Sequence, residues 1–281
     1  MQIGHLRIEP ILDGRSSIAP EVLYQAAAKY VPVLEGARGL AADDWQPYAR
    51  FHEHGKIDLS YGGFLVTDGR GKKVLVDLGQ GPVPWVPEPA FAPTVSGKLL
   101  VSLATMGVSP TEITDVVLTH LHFDHIGWAS VEGAPVFPNA TYRCHADDLA
   151  HFLPTDPKVA TVLAPVFSRL QTWDSDQTLF PGFDLRPVPG HTPGSTLVVL
   201  SSGSQRLLLV GDVLHCPADL LDEQWAGLAD MDPVLARRVR IALAQELERE
   251  DTVFAPAHFP GLSFGRLVSR SDGSRDFSYL N

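Results

Sequence analysis

The sequence predicts an α/β fold in four layers, two β-rich halves with helices on their outer sides. Three observations carry that prediction. Short apolar runs with strand-like alternation outnumber stretches of helical period. They fall into an early and a late group, each accompanied by amphipathic segments. No shift in composition marks a linker, so residues 1–281 are expected to form a single domain.

The opening "IGHLRIEPILDG" alternates apolar and polar residues up to Asp13-Gly14, the pattern of a strand closed by a turn. Residues 20–57 mix a short helical stretch, "EVLYQAAAKY", with Pro, Gly and polar residues, and read as an N-terminal insertion or lid. "GGFLVTD" and "VLVDLG" flank the Gly-rich "GRGKK" as a hairpin whose second strand ends in Asp77. Proline recurs too often in "PVPWVPEPAFAP" for regular structure, which makes it a loop carrying Trp85 and Phe91. A helix is expected from about Gly97 to Met106, followed by a turn and the strand "DVVLTH". In the late half, "LRPVPGHTPGSTLVVLSSG", "QRLLLVGDVLHC" and "DTVFAPAHFPG" each run an apolar strand into a turn bearing His191, Asp212 or His258. Between them, residues 233–249 read as a helix with an apolar stripe of Leu235, Val239, Ala242, Leu243, Ala244 and Leu247. Its basic cluster, Arg237, Arg238 and Arg240, reads as a solvated face.

Composition narrows the function classes. A chain that is 44% hydrophobic and 20% charged buries a core throughout, and 24 Gly with 23 Pro make it rich in turns. A net charge of −11 with no strong basic patch argues against nucleic acid as a partner. Cys144 and Cys216 are the only cysteines, so no disulfide framework is expected. The opening lacks the pattern of a signal peptide, and no apolar run approaches the roughly 18 residues of a membrane span. A soluble, cytoplasmic protein with no membrane partner is the expectation.

The chemistry concentrates in "LTHLHFDHIGW", which sets His120, His122, Asp124 and His125 directly after a buried strand. A lone histidine is usually a surface or core residue, but this spacing lets one pair of side chains point away from the other pair in a tight loop. That suits two metals better than one. Borderline divalent cations accept imidazole nitrogen and carboxylate oxygen, with a position left open for water in catalytic sites. His191, Asp212 and His258, each at a strand end, are the natural remaining ligands.

"THLHFDHIG", followed by "GHTPGS", "GD" and a final "AH", resembles the metallo-β-lactamase-fold hydrolase superfamily over about residues 60–260. The resemblance implies an αββα four-layer sandwich and a centre of two divalent ions, zinc first among the candidates. By position, His120, His122 and His191 resemble the first metal site, Asp124, His125 and His258 the second, and Asp212 the bridge between them. Asp77 resembles an aspartate that supports the metal loop through hydrogen bonds. A two-metal centre of this kind activates water and polarises a carbonyl or phosphoryl oxygen, so hydrolysis is the implied reaction. The resemblance also suggests a homodimer to which the N-terminal insertion contributes contacts.

Within the superfamily, an aspartate at 212 argues against lactam hydrolysis, and His122 argues against the redox-active di-iron branch, which carries glutamate there. The basic C-terminal residues expected of glyoxalase II are not found. Two branches resemble this chain better, the N-acyl homoserine lactonases and the methyl parathion hydrolases. The expected function is therefore hydrolysis of a small-molecule ester, foremost as a lactonase with promiscuous esterase and phosphotriesterase activity; a phosphotriesterase is the alternative. A ligand-binding protein without turnover on the same fold is the rival from another class. Asp124 is expected to orient the attacking water as well as to bind metal. His215 stands where the lactonases carry tyrosine and is the expected donor to the carbonyl oxygen or leaving group. Phe123, Ile126, Trp128 and Phe259 are candidate walls of the substrate pocket, with Trp85 and Phe91 more remote. His145 and Cys216 are not needed as ligands, and His5, His52, His54 and His151 read as surface residues.

Overall fold

A computed structural model of the chain describes residues 1–24, 42–51, 54–82, 95–221, 225, 227, 229–250 and 252–280. The early strands are β1 (Gln2–Ile3), β2 (Leu6–Ile18), β3 (Ile57–Thr67), β4 (Lys73–Val76) and β5 (Asp115–Val117). A small hairpin follows, β6 (Ser130–Val131) with β7 (Ala134–Pro135), and then β8 (Thr141–His145) and β9 (Leu170–Trp173). Seven of these form one sheet in the order β1-β2-β3-β4-β5-β8-β9, antiparallel up to β4 and parallel beyond it. The second sheet runs in chain order through β10 (Gln177–Phe180), β11 (Phe183–Pro187), β12 (Thr196–Ser202), β13 (Gln205–Leu209), β14 (Val253–Ala255), β15 (Gly265–Ser269) and β16 (Arg275–Tyr279). Only its β13–β14 pair is parallel.

Strand alternation dictates how the layers stack. Phe64, Val66, Val74, Val76 and Val117 point from the first sheet into a core shared with Leu185, Val198, Leu200, Leu207 and Leu209 of the second. Their neighbours Leu65, Leu75 and Val116 point the other way, onto Leu99 and Leu103 of one helix (Leu99–Thr105) and Val159 and Leu163 of another (Pro157–Leu163). Leu197, Val199 and Leu208 likewise face Leu243, Ala244 and Leu247 of the long helix Pro233–Glu250. The result is the expected αββα sandwich.

Three local readings differ from the structure. β2 does not end in a turn at Asp13-Gly14; an irregularity between Leu12 and Gly14 turns Asp13 inward, and pairing with β3 resumes as far as Ile18. The reason is the Asp13 carboxylate, which accepts the backbone N–H groups of Gln80, Gly81, Gly97 and Leu99 and the indole N–H of Trp128. In the long helix, Arg238 is exposed but Arg240 is only 4% exposed, so the basic cluster is not wholly a solvated face. Ala242, assigned to the stripe, is exposed, and Ala236 takes part in the core instead. Of the N-terminal insertion, a helical turn at Pro20–Leu23 and a 3-10 stretch at Ala42–Phe51 are described. His52, Trp85 and Phe91 lie outside the described residues.

Candidate metal centre

Parallel strands in the two sheets end at the same place, and their ends carry the chemistry. Beyond β4, Asp77 adopts φ +62°, and its carboxylate accepts the Thr119 N–H and hydroxyl, each at 2.8 Å. The same carboxylate takes His125 Nδ1 at 2.9 Å, so one side chain fixes the chain on both sides of His120 and His122. Asp124 and His125 sit on a single helical turn, Phe123–Ile126, rather than in irregular loop. From the second sheet, β13 and β14 end side by side, and Asp212 and His258 follow them. Gly211, before Asp212, has φ +51°, and a Cβ there would come within 2.9 Å of the Thr119 hydroxyl, so glycine lets the two sheet ends close.

These ends bring together His120, His122, His191 and Asp212 as one group and Asp124, His125 and His258 as another, while Asp212, His215 and His258 form a third that overlaps both. Within each group the candidate ligand atoms lie within 4.8 Å of one another. His122 Nδ1 stands 3.1 Å from His120 Nε2 and 3.0 Å from His191 Nε2. Asp212 faces His125 Nε2 at 3.2 Å with one oxygen and His258 Nε2 at 3.0 Å with the other. Asp124 lies 3.5 Å from His258 Nε2 and 3.8 Å from His125 Nε2.

The outward ring atoms decide what the inward ones can do. His120 Nδ1 meets the Thr119 hydroxyl oxygen, His125 Nδ1 meets Asp77, His191 Nδ1 meets Asp230 and His258 Nδ1 meets the Ser60 carbonyl, at 2.9–3.1 Å. Each of these partners can accept a hydrogen bond from the ring, which leaves the opposite nitrogen, Nε2, facing the cluster. His122 can donate to only one of the two nitrogens facing it. His125 Nε2 and Asp212 Oδ1 are buried without a hydrogen-bond partner although they face one another. Lone pairs gathered on a carboxylate require a positive charge, and the imidazole–carboxylate set fits divalent cations of the zinc type.

The protonation tendencies divide the cluster. Burial and the neighbouring imidazoles push His120 and His122 well below the usual imidazole range. Burial also opposes charge on His125 and on His215. Asp212, Asp77 and Asp124 outweigh it at His125, and Asp212 and Asp219 do so at His215, so both are raised. Asp212 is held well below the carboxylate range, because His125, His258 and His120 outweigh its burial.

The model of the metallo-β-lactamase superfamily matches residues 63–258. The chain belongs to this superfamily. It is 30% identical over 199 residues to metallo-beta-lactamase domain-containing protein 1 of Mus musculus, a match covering 65% of this chain and 63% of that protein. It is 24% identical over 166 residues to an N-acyl homoserine lactonase of Bacillus thuringiensis, covering 59% and 63%. The chain thus spans about 63% of the length of these curated relatives. Among solved structures, the dizinc quorum-quenching lactonase AidC, in complex with a product, matches with TM-score 0.79 and 23% identity over 100% of this chain and 95% of that one. The hydrolase AbOPH matches with TM-score 0.80 and 23% identity over 100% and 96%. At that identity the likeness shows the fold, two large sheets in four layers.

In this chain of the metallo-β-lactamase superfamily the other candidate residues divide. His215 joins the cluster, its Nε2 3.5 Å from Asp212 and its ring stacked 5.5 Å from that of His258. Phe123 and Ile126 line a cavity of about 530 Å³ with Gln80, Pro82, Val131 and Val162. Trp128 and Phe259 are corrections to the predicted pocket. Trp128 is buried in the outer core with its indole N–H on Asp13, and Phe259 is wholly enclosed by Phe254 and Phe277, so neither offers a wall to a substrate. His145 lies outside the ligand groups, its Nδ1 accepting the Asp147 N–H. Cys144 and Cys216 are free and buried, and burial raises both thiols. His5 and His54 are exposed and His151 half-buried.

The sequence reading missed Asp230, Thr119, the Ser60 carbonyl and two further buried carboxylates. Asp148 accepts the N–H groups of Leu121 and Gly194 and the Thr192 hydroxyl, tying the loop of His120 and His122 to that of His191. Asp219 accepts the N–H groups of His215 and Cys216 and the Tyr24 hydroxyl. The signal for Asp230 was an acid beside the apolar helix start "MDPVLA", too common a pattern to single out. The Ser60 carbonyl carries no sequence signal at all.

Proposed function

We propose that the protein is a dinuclear, zinc-dependent hydrolase of neutral esters, foremost a lactonase of the N-acyl homoserine lactone type with side activity on aryl esters and phosphotriesters. The observation that carries this reading is the buried cluster of imidazoles and carboxylates gathered around Asp212. His120, His122 and His191 would hold one ion, Asp124, His125 and His258 the other, and Asp212 both. Two such ions supply activated water and an electrophile for the carbonyl or phosphoryl oxygen. Of the chain's own groups, Asp124 orients the attacking water and His215 donates a hydrogen bond to the carbonyl oxygen or departing alkoxide. Phe123, next to Asp124 and only half-buried, offers apolar surface for an acyl chain.

A lactonase from Bacillus thuringiensis among the relatives, and product-bound lactonases among the similar folds, favour the lactone over other neutral esters. The cytoplasmic location and the homodimer belong to the same reading, and solution mass tests the latter. The deciding experiment measures kcat/KM of the zinc-loaded protein on a long-chain N-acyl homoserine lactone and on an aryl phosphotriester, with His122→Ala as the blank. Lactone preference with a silent blank is expected. Preference for the phosphotriester replaces the lactonase reading with the methyl parathion hydrolase type, and silence on both with metal bound favours a binding protein.

A further inference from the structure

His191 is held from behind by a carboxylate, and that carboxylate is held in turn. Asp230 is 2% exposed; its Oδ1 meets His191 Nδ1 at 3.1 Å, while its Oδ2 accepts the Gly227 N–H at 3.0 Å and Arg240 Nη1 at 3.0 Å. Arg240 rises from the long helix and is 4% exposed, and its other terminal nitrogen, Nη2, donates to the Trp225 carbonyl at 3.3 Å. The Trp225 ring is packed by the N-terminal insertion, with Trp45 stacked on it at 4.7 Å, Tyr48 at 4.8 Å and Tyr24 at 4.9 Å. The guanidinium fork therefore stands between the insertion and a candidate metal ligand.

We infer that Arg240 is a positioning residue for the metal centre. By occupying Oδ2 of Asp230 it reserves Oδ1 for His191, and by holding the Trp225 carbonyl it ties that orientation to the docked insertion. A planar, permanently charged fork holds both in one fixed geometry, which a compact ammonium group on a flexible stem does less firmly. A carboxylate free to rotate would still accept from His191 Nδ1, but the imidazole would lose the fixed ring orientation that aims Nε2 at the cluster. The opposing charges reinforce the arrangement: burial works against both ions, yet Asp230 stays well below the carboxylate range and Arg240 above its ordinary one.

This inference rests on the metal reading of His191 but not on the choice of substrate, so it is tested with metal alone. Zn²⁺ is titrated into the full-length apoprotein against a chromophoric chelator, and the visible spectrum of the Co²⁺ form is recorded, for wild type, Arg240→Met, Arg240→Lys, Asp230→Asn and the double variant Asp230→Asn/Arg240→Met. Exposed Arg238→Met, on the same helix, is the control, expected to match wild type. Arg240→Met is expected to weaken one of two metal equivalents about 10–100-fold and to change the Co²⁺ spectrum. Arg240→Lys should fall between it and wild type. The double variant should be no weaker than Asp230→Asn, since Arg240 acts through Asp230. If Arg240→Met does not fold, the comparison of Asp230→Asn with the double variant decides alone. Wild-type metal affinities and spectrum in Arg240→Met overturn the inference, as do losses that multiply in the double variant. Failure of wild type to take up two equivalents overturns the metal reading itself, and this inference with it.

Discussion

Asp77 holds a left-handed backbone conformation, φ +62°, that few residues other than glycine adopt without cost. Glycine would relieve the backbone but remove the carboxylate that joins Thr119 to His125. Asparagine tolerates the same backbone and keeps the shape, yet one of its two terminal atoms must donate where the carboxylate only accepts. Asp77→Asn is therefore expected to lose about 1–3 kcal/mol of stability and to weaken metal binding about 10–100-fold, read by denaturant unfolding and by zinc titration. Unchanged metal affinity would reduce Asp77 to a fold residue. For His215→Phe the expectation is opposite in kind: the ring stacks on His258 and enters only the group that overlaps the other two, so zinc content should hold while kcat falls. Equal kcat would leave His215 a packing role. The residues of the cluster were legible because the motif packs them into one short stretch, and Asp77 through the likeness of "VLVDLG". Their outer partners were not, since Asp230 and the Ser60 carbonyl reach His191 and His258 only through the fold.

At the scale of elements, the central strands were legible as short apolar runs because different layers bury both of their faces, whereas the long helix shows where a stripe misleads. Ala236, Arg240, Leu243, Ala244 and Leu247 lie on one face at helical spacing, and all are buried. The guanidinium occupies the middle of an apolar stripe, a position a charge takes only when paired inside. Reading the three arginines as a cluster hid the one that breaks the pattern. At the start of β5, Asp115 is another paired buried carboxylate, bonded to Lys72 at 2.8 Å, Thr114 at 2.9 Å and Arg143 at 3.1 and 3.2 Å. Burial alone would raise its pKa, but these partners lower it. A depressed folded pKa contributes stability that is full above the unfolded carboxylate value of about 3.9 and fades as pH falls below it. Discounted for the half-exposed lysine, the contribution is about 1 kcal/mol. Asp115→Asn should thus unfold about 2–4 °C lower at pH 7, with the gap closing below pH ~4. A gap that persists in acid would assign the loss to packing.

In the whole molecule, the two β-rich halves meet at the candidate site from opposite sides. His120, His122, Asp124 and His125 belong to the first, and His191, Asp212, His215 and His258 to the second. Backbone contacts already join them there, for the Ser60 N–H donates to the His258 carbonyl and the Thr196 N–H to that of Thr119. A cation shared by the ligand groups would bridge the halves where imidazoles and carboxylates crowd. Because such an ion binds the folded chain and not the unfolded one, it should add stability in proportion to the logarithm of its concentration, about 4 kcal/mol at a thousandfold excess over Kd. Thermal unfolding of the same preparation in excess zinc and after chelation is expected to differ accordingly, with the chelated form lower. His122→Ala should narrow that difference, since it removes the ring nitrogen that stands between His120 and His191. A midpoint indifferent to zinc in wild type would mean that the cluster binds no metal, and the hydrolytic reading would fall with it.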